Sequence, residues 1–200
     1  MIINFFAIPD ILTQEVDKGK TSIIDIAKYV QEAYQLDEEE SPKIDQENLK
    51  NSLSNPNKHL EIYYRPIFIV IEKIYEIYFN SDYDIPIIGR QPFTDEEAEI
   101  LLNEYVTYSG GFLTFEDIKY LNGKLSDLSF DDFLEGALKK DHSKKLEDIK
   151  SIKIALGFSE EEIIEILPFL REDYDEFTSY IAKLAHFEGK EKLGLFISID

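Results

Sequence analysis

The chain has 200 residues, 44% of them hydrophobic, with 21 Lys and Arg against 41 Asp and Glu, for a formal net charge of -20 and a pI near 4.5. Such a field repels nucleic acid and anionic membrane and attracts basic partners. The absence of cysteine excludes disulfides and thiolate metal sites.

This length and apolar content suit one compact domain, or at most two small ones, and the chain is read as one domain over residues 1–200. No basic region precedes the first apolar run, so no secretory leader is expected. The longest apolar run, Ile67 to Ile71, is too short for a bilayer. The expectation is a cytoplasmic protein with no membrane segment.

In chain order, "MIINFFAI" (Met1 to Ile8) is apolar and β-prone, and so is the far end, "KLGLFISID" (Lys192 to Asp200). An exposed apolar tail is an aggregation hazard unless it has a partner, so the two ends are read as neighbouring strands. Pro9 and Asp10 open a short helical turn with Ile11, Leu12 and Val16. A clearer helix spans Ser22 to about Leu36, with Ile23, Ile26, Ala27, Val30 and Tyr34 on one face. "DEEESP" (Asp37 to Pro42) and "NSLSNPNKH" (Asn51 to His59) bracket a weak helix, and residues 37–59 read as an inserted or mobile segment.

"RPIFIVIEKIYEIYFN" (Arg65 to Asn80) is β-branched at its start. Its polar positions Glu72, Lys73, Glu76 and Asn80 recur at helical spacing, and Pro66 suits a first helical turn. It is read as a central buried helix with Tyr75 and Tyr78 in the core, followed by a loop from Ser81 to Pro92.

The second half repeats one device. "FTDEEA", "LTFEDI", "LSFDDF" and "FSEEEI" place an apolar residue before Thr94, Thr114, Ser129 or Ser159, with Glu97, Asp117, Asp132 or Glu162 three residues on. These are capping boxes, and the flanking apolar residues supply hydrophobic staples. Gly123 and Gly157 stand where helices should end. A helix is expected from Ser143 to Leu156, and Pro168 should kink or end the Ser159 helix. A separate last helix, about Asp173 to Phe187, is closed by Gly189, and "EGKEK" turns into the final strand.

The order "MIINFFAI", "LEIYYRPIFIVIEKI", "IPIIGRQ", "PFTDEEAEIL" and "FTSYIAKLAHFEGKEKLGLFISI" resembles the YfbM-like family of small bacterial proteins. The chain departs from that pattern in having no Trp for the family's mid-chain Trp-His pair, and the segment between Gln35 and His59 reads as an insertion. The resemblance implies the fold and a bacterial cytoplasmic origin, and carries over no catalytic residue.

The chemistry-bearing residues are sparse. His59, His142 and His186 share no metal-ligand spacing. "NSDYDIPIIGRQ" imitates a calcium loop at its first positions but has Ile85 where Gly is needed and Gln91 where a bidentate Glu belongs. "SGG" (Ser109 to Gly111) lacks a nucleophile-elbow frame and is read as a turn. "EGK" (Glu188 to Lys190) with Asp10 imitates part of a nuclease motif, but the setting is a turn and the net charge opposes nucleic acid. No catalytic residue, metal or cofactor is assigned.

What remains is the acidity. Ten acids lie in first helical turns, where the dipole favours them. The excess concentrates in Asp37, Glu38, Glu39 and Glu40, and in "REDYDEF", with Glu172, Asp173, Asp175 and Glu176 around Tyr174. Tyr174 is the kind of aromatic that anchors an interface. The reading is an α+β, mostly helical single domain with a small sheet made by the N- and C-terminal strands. Its expected function is that of an immunity or inhibitor protein occluding a basic protein partner, a toxin or nucleic-acid-directed enzyme, without touching nucleic acid itself. The alternatives are a non-inhibitory interaction module and a hydrolase with an unrecognised carboxylate site.

Overall fold

The computed structural model describes residues 3–34, 59–62, 65–79, 85–91, 94–105, 109–140 and 160–199. Strands β1 (Ile3–Pro9) and β4 (Leu193–Ile199) pair antiparallel over their full length, from Ile3 opposite Ile199 to Pro9 opposite Leu193. The two apolar ends are therefore partners, as expected, and they form the centre of a larger sheet. β2 (His59–Ile62) lies beside β1 and β3 (Ser109–Leu113) beside β4, giving the order β2–β1–β4–β3, antiparallel throughout.

Alternation along the strands explains the composition of the ends. Ile3, Phe5, Ala7, Leu195, Ile197 and Ile199 enter one core cluster, while Phe6, Ile8 and Phe196 enter another. Both faces are covered, so these strands read as unbroken apolar runs rather than as an apolar–polar alternation.

The helices divide between the two clusters. α1 (Asp10–Asp17), α2 (Ile23–Tyr34) and, after β2 and α3 (Arg65–Phe79), α4 (Asp95–Tyr105) contribute Val16, Ile23, Ile26, Val30 and Leu101 to the smaller one. α3, α5 (Phe115–Leu125), α6 (Phe130–Lys140) and α7 (Glu160–Ala185) fill the larger one. The fold is α+β.

α3 is a helix, as its polar spacing predicts. Phe68, Ile71, Ile74 and Tyr75 are buried, and Lys73 and Glu76 pair at 2.7 Å on its wetter side. The half-buried Tyr78 ring packs on Phe79 and Phe133. Glu72 turns inward, and its carboxylate accepts from the Ile87 N–H at 3.0 Å, holding the 85–91 loop.

The capping boxes form at two starts. The Thr114 hydroxyl accepts from the Asp117 N–H (3.2 Å), and the Asp117 carboxylate accepts from the Thr114 N–H (3.0 Å). Thr94 and Glu97 do the same at α4. At α6, Ser129 accepts from the Asp132 N–H at 3.2 Å. Ser159, Gly157 and the expected Ser143–Leu156 helix lie outside the described residues, as does the 37–58 part of the suspected insertion.

Three expectations are corrected. "SGG" is part of strand β3, not a turn: Gly111 lets the 86–90 loop cross it, and a Cβ there would stand 2.7 Å from the Ile88 carbonyl oxygen. The Arg90 and Phe112 N–H groups each donate to the other's carbonyl oxygen, at 2.9 and 3.0 Å, and close that crossing. Gly123 lies inside α5, which continues to Leu125, because the position faces open space and nothing forces a stop. Of the two outcomes expected of Pro168, an end of the helix is excluded: α7 runs 26 residues through it, and Pro168 faces solvent. The Ser159 helix and the Asp173 helix are thus one element.

Candidate functional site

α7 carries the acidic segment singled out in the sequence. Its buried stripe is Ile166, Leu170, Tyr174, Phe177, Ile181 and Leu184, recurring every three or four residues. Tyr174 is therefore a core residue and not an interface anchor. It is 2% exposed, stacks on Phe133 with centroids 5.0 Å apart, and donates its hydroxyl to the Leu128 carbonyl at 2.9 Å. Burial pushes its phenol well above the usual range, so the hydroxyl stays a donor.

The opposite side of α7 is exposed at Glu165, Phe169, Glu172 and Glu176, which recur at spacings of four, three and four. Among the described residues the side chains of these three glutamates make no hydrogen bond or ion pair. Phe169, 56% exposed, stands between them. Asp175 is exposed on the shoulder of this face. Asp173 is half-buried, and its carboxyl is pushed up to about 6 by burial and then by the charges of Glu176 and Glu172. Arg171 points elsewhere: its guanidinium donates two bonds of 2.7 Å to Asp131 on α6 and lies 5.7 Å from the centre of the Phe130 ring. The acidic face is thus not neutralised by the arginine in its own segment.

Of the acids singled out in the sequence, Glu172, Asp175 and Glu176 are exposed on α7 and Asp173 is half-buried beside them, and the exposed aromatic of the segment is Phe169, not Tyr174. The signal was available. Tyr174 is in phase with Leu170, Phe177 and Ile181, whereas Phe169 falls one residue out of that stripe. The second acidic cluster, Asp37 to Glu40, lies outside the described residues.

The nuclease-like grouping dissolves on inspection of Asp10. Asp10 is 4% exposed, and its carboxylate accepts from the Phe115 N–H (2.6 Å) and the Thr13 hydroxyl (2.9 Å), tying the start of α1 to the start of α5. A cleft of about 250 Å3 beside it is lined by Pro9, Asp10, Ile11, Gln14, Glu191 and Lys192. Lys192 is turned to Glu116 at 3.8 Å and to the Phe115 ring at 4.8 Å. Asp10 is spent on the fold.

His59 opens β2, His186 is exposed just after α7, and His142 lies outside the described residues. Among the described residues no group of three or more His, Cys, Asp or Glu could hold a metal ion, and no helix is long and apolar enough to cross a membrane. No family model, curated protein or solved structure matches the chain.

Proposed function

We propose that the protein is an acidic binding protein of the immunity or inhibitor kind, which uses the outer side of α7 to occlude a basic surface on a toxin or nucleic-acid-directed enzyme in the cytoplasm. One observation carries the reading: Glu165, Glu172 and Glu176 line one side of α7 together with an exposed Phe169, and their side chains are tied to nothing among the described residues. An apolar ring inside a charged rim is the usual anatomy of a binding hot spot. The -20 net charge adds long-range attraction for a basic partner.

The test is capture of basic partners from the native host's lysate, followed by kinetics with the partner recovered. Association should be fast at low salt and slow as salt screens the field over about 8–10 Å. Glu172→Lys with Glu176→Lys should lower the on-rate, and Phe169→Ala should raise the off-rate. A partner whose binding neither change affects refutes the α7 face. A saturated partner enzyme that keeps its activity replaces inhibition with a non-inhibitory module.

A further inference from the structure

The two edges of a sheet present backbone groups on which a further strand can build. β2 is four residues long and carries Glu61, a charge that discourages such pairing. β3, "SGGFL", has neither a charge nor a proline. Its protection comes from the 85–91 loop. The Phe112 N–H and carbonyl go to Arg90, so they face away from β4, and the Arg90–Phe112 bridge lies on the outer side of β3. That bridge cannot grow into a strand. Gly89 (φ 84°) turns the loop away on one side, with its N–H returned to the Pro86 carbonyl at 3.0 Å, and on the other side Pro92 has no N–H to give. A side chain at Gly89 would not fit either, since its Cβ would stand 2.9 Å from the Phe112 nitrogen.

The two ends of the loop are held unequally. Ile85 and Ile87 are buried, and the Ile87 N–H is fixed by the buried Glu72 carboxylate at 3.0 Å. The Arg90 end hangs on an ion pair that water reaches. Its guanidinium, 43% exposed, donates bonds of 2.7 and 3.1 Å to Asp117 at the start of α5 and lies 3.9 Å from Asp17 at the end of α1.

We infer that residues 88–91 are a strap that keeps the outer edge of β3 from pairing with the β3 of a second copy, and that the Arg90–Asp117 fork is its latch. A second copy is the occupant excluded, because a two-fold axis sets two copies of one edge strand antiparallel, where each complements the other. The inference is independent of the acidic-face reading.

Amide exchange and sedimentation equilibrium on the full chain test it, at about 0.15 M salt, where self-repulsion of the -20 chain is screened beyond about 8 Å. In dilute protein, Arg90→Ala should speed exchange of the Phe112 N–H about tenfold, the worth of a lost charge-assisted bond, while the Ile87 N–H stays slow. As concentration rises, the variant should self-associate one step beyond the native chain, and the Phe112 N–H should slow again in the dimer. Unchanged exchange at Phe112 would show that Arg90 is no latch. Fast exchange with no dimer, or a dimer in which Phe112 stays fast, would show that the strap guards nothing. Should Arg90→Ala not fold, Arg90→Lys decides, since it keeps the charge and loses the fork. It should move both readouts in the same direction by less, and native behaviour in both would overturn the strap.

Discussion

Replacing Asp173 by Asn should stabilise the protein at pH values above the ordinary carboxylate range, and not below it. Asp173 is half-buried, and its carboxyl sits at about 6 against an ordinary 3.8, first because burial disfavours the charge and then because Glu176 and Glu172 repel it. Between those two values the folded chain holds the proton more tightly than the unfolded chain does. Stability therefore falls as pH rises through that window and stays low above it. One unit is worth about 1.4 kcal/mol. Discounted for the water that still reaches the carboxyl, the penalty at neutral pH is about 1 kcal/mol. Urea unfolding of both proteins across the window should show Asp173→Asn ahead by about that amount near neutrality, with the gap closing as pH is lowered toward 4. High salt should remove only the smaller, like-charge part. A gap that is independent of pH, or a variant less stable at neutral pH, would show that the carboxyl is not strained. The same substitution should weaken capture of a basic partner, because the charge that costs stability is the one offered to the partner.

Gly111→Ala should cost about 1–3 kcal/mol, since its Cβ would meet the Ile88 and Arg90 carbonyl oxygens at 2.7 and 3.1 Å and neither backbone can yield easily. Faster amide exchange at Arg90 and Phe112 would report the loosened crossing. Asp117→Asn should cost about 2 kcal/mol, because a 3% exposed carboxylate accepts from Arg90 at 2.7 and 3.1 Å as well as from the Thr114 N–H. Burial alone would raise the Asp117 carboxyl, but these bonds outweigh it and hold it below its ordinary value. Its stabilisation is therefore present above the ordinary carboxylate range and lost as pH falls through the lowered value, which parallel acid titrations of the two proteins would reveal. Deleting Leu195 to Asp200 should unfold the whole protein and not trim a tail, because β4 pairs with both β1 and β3. A truncated chain melting like its parent would refute that.

Much of the fold is legible in the sequence because local rules and burial agree there. The ends are apolar and β-prone, and the sheet buries both of their faces. The polar residues of α3 repeat at helical spacing, and its inward Glu72 fits because the Ile87 N–H meets it. The failures are tertiary overrides of local punctuation. Gly111 is read as a turn residue, yet its bareness is required by the chain that crosses it, which no local pattern records. Gly123 is read as a stop and Pro168 as a kink or an end, yet both face outward on helices that continue because their other sides are held by the core. The site is half legible for a different reason. Acidity singles out the segment, but composition does not say which aromatic faces out. Phase does: Tyr174 continues the buried stripe and Phe169 leaves it.

The acids of this chain separate by what they touch, and that separation is the best argument for where function lies. Asp25, Glu97 and Asp117 are held below the ordinary carboxylate range by hydroxyl, backbone N–H or Arg90 partners, with burial alone opposing, and each of them fixes a helix start. Asp10 and Glu72 accept backbone N–H groups from distant segments. These carboxylates are part of the architecture. The α7 face runs the other way. Glu165, Glu172 and Glu176 have no side-chain partner among the described residues, and the Asp173 carboxyl is pushed up first by burial and then by Glu176 and Glu172. A like-charged row on one side of a helix works against the helix, and an exposed Phe169 beside it adds nothing to the core. A surface that is neutral to folding needs no explanation, but one that opposes folding is most simply explained by a cation that arrives from outside. That is why the proposed binding face is placed on α7 rather than on the acid-rich helix starts.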